Sequence, residues 1–300
     1  ELVHYSLNSL QKIGGILMAI RVEQITTLEQ ISKIIWDQQY QSTLMRNRSP
    51  YLYRGLPNSN YHLVTSLRRN CKEKKNDIEL AILRNFVKYA ALEDPALKTS
   101  IWRQMIVGQH HGLPSRLLDW TYSVLIALHF ATSGENLDDM SKNDAVLWQI
   151  DILEMNKRLP KNYQTTLKNE SAFLMTVDMM DSLTRGGNTY DILNRYDSDM
   201  GTASMVFLEP PSIDQRIIGQ YSYFSIIPSR IENLQDDTGI ETFLDETQNT
   251  VKYIISTDLK WRIRDMLDQM NINERILFPG LDGITSWMKR HYYVRSGEQQ

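Results

Sequence analysis

The chain has 300 residues, 42% hydrophobic and 23% charged, with a formal net charge of −3. That balance suits a globular protein with a sizeable core, and it excludes a surface coated in basic charge, though not a local basic groove. The single cysteine, Cys71, leaves no internal disulfide and fits a reducing, cytoplasmic setting, and no apolar run reaches the roughly 18 residues of a membrane span.

Residues 1–20 read as a leader or a disordered N-terminus. Lys12, Gly14 and Gly15 interrupt the apolar part, and a basic n-region is missing, so this is no signal peptide. The codons of Gly14 and Gly15 can spell a ribosome-binding site, which makes Met18 the expected natural start. From residue 21 to about residue 292 the chain reads as a single domain.

Val22 to Ile25 predicts a short strand, and Thr27 to about Gln41 a helix carrying Leu28, Ile31, Ile34 and Ile35 on one face. Tyr51 to Gly55 alternates and is aromatic, so a strand should place Arg54 at its end, before the turn at Pro57 and Asn58. Leu63 to Arg69 is a short polar–apolar segment. Asp77 to Leu92 predicts an amphipathic helix, and another begins near Ser100.

Gln104 to Ala131 is denser in polar and aromatic residues than a plain core segment needs. Pro114 stiffens the turn after Gln109, His110, His111 and Gly112. A helix should start near Ser123, with Asp119, Thr121 or Ser123 as cap. Arg116 and Asp119 read equally well as a structural ion pair and as parts of a site.

Ala145 to Ile150 predicts a strand. Residues 153–205 look like a polar insertion, with a turn at Gly186-Gly187-Asn188 and a helix over Asp191–Tyr196. Asp197-Ser198-Asp199 is a weak metal-site pattern, better read as surface, so no metal is expected. Met205 to Leu208, Gln215 to Ile227 and Val251 to Ile255 predict strands. Helices should span Leu259–Met270 and the end of the chain to about His291. Strands interrupted by helices without regular βαβ alternation predict an α+β fold. Dinucleotide, P-loop, zinc and nucleophile-elbow motifs are absent.

Several stretches together resemble the FRG-domain family, named for its Phe/Tyr-Arg-Gly motif. They are Tyr53-Arg54-Gly55, Leu63 with Ser66-Leu67-Arg68-Arg69, Gln109 through Thr121, Arg216 with Gln220 and Phe224, and Phe278-Pro279-Gly280-Leu281-Asp282-Gly283. The resemblance spans roughly Gln24 to Lys289. Ser222 stands where the family usually has glycine. FRG domains occur in bacteria and phages, often in toxin and defence settings. Their pattern looks like a distant version of the ADP-ribosyltransferase fold, a split sheet core with surrounding helices.

The resemblance implies an NAD-dependent transferase. Arg54, with Tyr53 and Gly55, would hold NAD. Arg116, Thr121, Ser123 and Tyr221 would complete its contacts, and Trp120, Tyr221 or Tyr223 would wall the nicotinamide. Gln220 would orient a ribose hydroxyl. A neutral amide is no base, so His110 or His111 would activate the acceptor.

A nucleic-acid acceptor, RNA or DNA, is favoured over a protein. Arg68, Arg69, Lys72, Lys74 and Lys75 form one basic run, and Lys289-Arg290-His291-Tyr292-Tyr293 mixes base and aromatic residues. Toxicity would imply an antitoxin protein. The competing readings are NAD hydrolysis without transfer and a non-enzymatic module that senses a nucleotide or phage component.

Overall fold

The structure is a computed structural model that describes residues 20–36, 38–42, 44–134, 136–185, 188–212 and 215–295. The expected leader, Met18 and the Gly186-Gly187 part of the expected turn lie outside the described residues.

Strand β1 (Arg21–Ile25) leads into helix α1 (Leu28–Trp36). The helix predicted as far as Gln41 ends at Trp36; Tyr40–Gln41 (β2) and Arg46–Asn47 (β3) form a small antiparallel ribbon instead. Next come β4 (Tyr51–Leu56), α2 (Ser66–Cys71), α3 (Lys75–Ala90), α4 (Ile101–His110), β5 (Leu117–Thr121), α5 (Val124–Ala131) and β6 (Ala145–Asp151). Helices α6 (Ile152–Lys157), α7 (Lys161–Asn169), α8 (Val177–Leu183) and α9 (Thr189–Met200) follow, then β7 (Val206–Leu208), α10 (Gln215–Gln220) and β8 (Ser222–Ile226). The chain continues with α11 (Ser229–Glu232), α12 (Gly239–Asp245), β9 (Val251–Ile255), α13 (Thr257–Gln269), α14 (Glu274–Leu277) and α15 (Leu281–His291).

The fold is α+β. Among the described residues one seven-stranded sheet has the order β1-β9-β6-β4-β5-β8-β7. Only β1 and β9 pair in parallel there; the other neighbours are antiparallel. Side chains alternate across such a sheet. Leu52, Leu118, Trp120, Trp148 and Phe207 face a layer completed by α11 and α12. The opposite face carries two separate apolar groups. Trp102, Ile106 and Tyr196 pack α4 and α9 onto the β5–β8–β7 side. Ala127, Leu128 and Ile263 pack α5 and α13 onto the β4–β6–β9 side.

Between these two groups the sheet opens. β4 pairs with β6 from Tyr51 to Leu56, but with β5 only at Tyr53 and Thr121. This seam positions the candidate site.

Residues 153–205, expected as a polar insertion, form helices α6 to α9 and contribute to the core. Tyr163, Leu167, Met180, Leu193 and Tyr196 are buried in the larger core. The Tyr196 hydroxyl donates to the Ile226 carbonyl at 2.7 Å and accepts from the Val206 amide at 3.2 Å. These helices therefore cover the sheet face.

A candidate active site at the sheet seam

Gly55 explains how the seam is built. A Cβ there would stand 2.0 Å from the Ala127 carbonyl oxygen and 2.4 Å from the Ala131 amide nitrogen. Only glycine lets α5 lie this close to β4. Ser123 starts that helix, its Oγ accepting from the Ile126 amide at 3.4 Å.

Arg54 bridges the opening. Its NH1 donates to the Asp119 carbonyl at 2.5 Å and lies 3.5 Å from Asp119 Oδ2. The side chain is 17% exposed. Its Nε is buried and has no hydrogen-bond partner among the described residues. Burial lowers the Arg54 pKa, against the pull of Asp119.

Around the arginine the polar groups are tied to one another. Gln109, near the end of α4, donates from Nε2 to Asp119 Oδ2 at 3.0 Å. Its Oε1 accepts from Ser115 Oγ at 2.9 Å and Ser66 Oγ at 3.2 Å. Thr121 Oγ1 donates to the Gln220 carbonyl at 2.9 Å. Gln220 Nε2 donates to the Leu277 carbonyl at 3.0 Å. A carbonyl only accepts, so this contact sets which end of the amide faces α14.

Gln220 ends a helix, not the strand predicted over Gln215 to Ile227. Tyr221 takes a left-handed φ of 48° and turns the chain from α10 into β8. The Phe278 stretch supports α10 from outside: the Arg216 guanidinium lies 5.2 Å from the Phe278 ring centroid.

The result is a cavity of about 220 Å³ lined by Tyr53, Arg54, Gly55, Gln109, Asp119, Thr121, Arg216, Gln220 and Ser222, with Phe130 at its side. Arg54 also borders a larger groove, about 920 Å³, that includes Tyr61, His62, Arg69, Lys72 and Asp236.

Residues 49–140 match the family model of the FRG domain. This chain carries an FRG domain. No curated protein and no solved structure gives a match. The matched segment holds the Arg54–Gly55 pair, Gln109 and Asp119, and hence both edges of the seam. Gln220 and Phe278 reach the FRG segment from later in the chain.

Other expected site residues lie elsewhere. Arg116, just before β5 in the FRG segment, does not line the cavity. Its Nε and NH2 donate to Glu79 at 2.7 and 2.5 Å, and NH1 to Asp197 at 2.8 Å. Burial disfavours its charge, but Glu79 and Asp197 outweigh that and raise its pKa. The expected pairing of Arg116 with Asp119 is therefore replaced by a buried cluster, which also absorbs one aspartate of the Asp197-Ser198-Asp199 pattern. Asp199 accepts from the Tyr163 hydroxyl at 3.1 Å.

Ser123 caps α5 and does not line the cavity. His110 is half-buried, with its carbonyl accepting from Arg216 NH1 at 3.2 Å; His111 is exposed, and neither histidine lines the cavity. Tyr221 is exposed in a ring cluster, 5.4 Å from Tyr122 and 5.8 Å from Tyr223, and is not a cavity wall. Trp120, by contrast, does line the cavity, although its ring packs against Phe207 and its Nε1 donates to Ser225 Oγ at 2.9 Å.

Neither basic run is a continuous surface. Lys75 is buried against Glu232 at 2.5 Å, and Arg290 is buried between Asp268 and Glu274. Arg69 and Lys72 remain on the groove. None of the described helices is long and apolar enough to cross a membrane.

Of the two roles open to Asp119, structural ion pair or site residue, it lines the cavity, and Gln109 of the same motif stretch lines it too. The signal was available: both stand in the motif stretch, and a carboxylate inside a Leu-Leu-Asp-Trp-Thr strand is costly unless something opens beside it.

Proposed function

We propose that this chain is an NAD-dependent ADP-ribosyltransferase, a toxin or defence effector that modifies a macromolecule. The observation that carries this reading is Arg54: a guanidinium at the opened seam, with a buried Nε that has no acceptor among the described residues. Such a donor suits phosphate or ribose oxygens. An arginine on one strand, a hydroxyl on its neighbour and an amide from a third element meet around it, the order expected of an ADP-ribosyltransferase-like split sheet. That comparison is one of fold-level analogy.

The sizes fit a divided ligand. Sites for drug-sized molecules occupy roughly 300–1,000 Å³, so a whole dinucleotide exceeds the cavity of about 220 Å³. The nicotinamide riboside half suits it. Arg54 borders both spaces, so the pyrophosphate would pass at the guanidinium and the ADP half would enter the groove beside Tyr61, Arg69 and Lys72. Thr121 bonds the Gln220 backbone and Leu277 its amide nitrogen, so the amide oxygen would be the group that meets the ribose. Breaking the glycosidic bond develops positive charge on the ribose, as in glycoside chemistry.

Among acceptors we favour nucleic acid, RNA first, because bacterial ADP-ribosyltransferase toxins include nucleic-acid modifiers. A toxin of this kind would need a cognate antitoxin. The test incubates purified protein with labelled NAD and separates protein, RNA and DNA. Nicotinamide release with label in the RNA supports the reading. Free ADP-ribose alone would make the chain an NAD hydrolase, and NAD left intact would overturn the reading.

A further inference from the structure

The proposed transfer needs a proton acceptor, and the expected histidines do not line the cavity. Gln220 is a neutral amide. Arg54 and Arg216 are cations. The Tyr53 phenol is buried, which pushes its pKa up to about 12. Asp119 is the remaining candidate, and among the described residues it is the one carboxylate lining the cavity.

Its setting is unusual for a strand in the middle of a sheet. Leu117, Leu118, Trp120 and Thr121 of β5 are buried, while Asp119 between them is exposed. The seam alone makes that possible. One carboxylate oxygen is held: Oδ2 accepts from Gln109 Nε2 at 3.0 Å, with Arg54 NH1 at 3.5 Å. Gln109 is itself fixed by Ser66 and Ser115. Oδ1 has no hydrogen bond among the described residues. Arg54 takes the Asp119 carbonyl at 2.5 Å and pairs with the carboxylate only through Oδ2 at 3.5 Å, so Oδ1 stays open.

We propose that Asp119 is the general base of the reaction, with Gln109 as its positioning residue, an inference that rests on the transferase reading above. The bond between the ribose C1′ and the nicotinamide nitrogen breaks, and its electron pair leaves with neutral nicotinamide. An acceptor O–H attacks C1′ and forms the new C–O bond. Its proton passes to Asp119 Oδ1 and from there to solvent. The ionised carboxylate also faces the positive charge that develops on the ribose.

Calorimetry of NAD binding and the pH profile of nicotinamide release, with water and with total RNA as acceptors, test this on the full chain. Asp119→Asn should keep NAD affinity within about threefold and lose roughly 10²–10⁴-fold in rate, the range of positioned acid–base groups. The fall in rate on the acid side should vanish from its profile, and Asp119→Glu should recover part of the rate. An Asp119→Asn protein as active as the parent, with the parent's acid limb, overturns the base. So does a loss of NAD affinity by the same factor as the rate, since that would make Asp119 a prop for Arg54. A parent that leaves NAD intact overturns the transferase reading, and the base with it.

Discussion

Arg54 reaches strand β5 from β4 and Arg116 directly precedes it, and the two are used in opposite ways. Arg116 precedes Leu117, is buried, and spends its guanidinium on Glu79 and Asp197. Arg54 is more open, holds one backbone carbonyl closely and leaves its buried Nε without a partner among the described residues. Both arginines sit in the motif, so composition does not separate them. Partners do. A buried charge with matched carboxylates is an internal clamp; a buried donor left open costs stability unless a ligand or a water accepts from it.

The largest test of that contrast is Arg116→Ala. Removing one partner of a buried cluster strands Glu79 and Asp197 and costs about 3–5 kcal/mol. The melting temperature should fall by on the order of 10 °C. Activity lost at ordinary temperature without a change in melting would move Arg116 from the scaffold into the chemistry. Gly55→Ala comes next. The added methyl would meet the Ala127 carbonyl 2.0 Å away, so α5 must shift at a cost of about 1–3 kcal/mol. NAD cleavage should suffer with it, because the same displacement widens the seam. A fully stable and active Gly55→Ala protein would show that α5 is not fixed by that contact.

Arg54→Ala should behave in the reverse manner. Loss of a charge-assisted hydrogen bond costs about 1.5–3 kcal/mol, roughly a tenfold to hundredfold drop in rate if the bond forms in the transition state. Thermal melting should move much less than in Arg116→Ala. Arg54→Lys should restore little, because an ammonium is a point charge and lacks the planar fork. Unchanged NAD turnover in Arg54→Ala would remove the residue from the site.

The contrast also shows what could be read in advance. Strand β4 with Arg54 and Gly55, helix α5 with its Ser123 cap, and β9 follow from local alternation, apolar periodicity and capping chemistry. Strand β5 was hidden, because Leu117 and Leu118 are apolar neighbours that face opposite sides of the sheet and Asp119 breaks the expected burial. The turn between α10 and β8 gave no signal: Tyr221 holds a left-handed φ of 48° that glycine or asparagine usually supplies. Arg216, Gln220, Tyr221 and Tyr223 therefore read as one alternating strand. Residues 153–205 looked polar because each short helix there buries only a few side chains, such as Tyr163 and Leu167 in α7. Partners distant in sequence, Glu79 for Arg116 and Leu277 for Gln220, are invisible to any local pattern.

That last contact supplies the smallest and most discriminating test, Gln220→Glu. By residue type alone the change looks mild, since in the proposed reaction a carboxylate would still accept a ribose hydroxyl and face a developing cation. The structure argues otherwise. The amide nitrogen donates to the Leu277 carbonyl at 3.0 Å, and a carboxylate has nothing to donate. The side chain is buried, so the lost bond should cost about 1–3 kcal/mol. The deficit should depend on pH. A protonated acid can again donate to Leu277, so folding favours the neutral form and raises the pKa of the introduced group above its unfolded value of about 4.3. The recovered stability is then fully present below the unfolded pKa and is lost as pH rises through the folded one. Melting curves of Gln220→Glu and parent should converge on acidification and separate towards neutral pH. Curves that stay parallel across that range would show that the Leu277 contact does not hold the amide, and the orientation assigned to Gln220 in the cavity would fall with it.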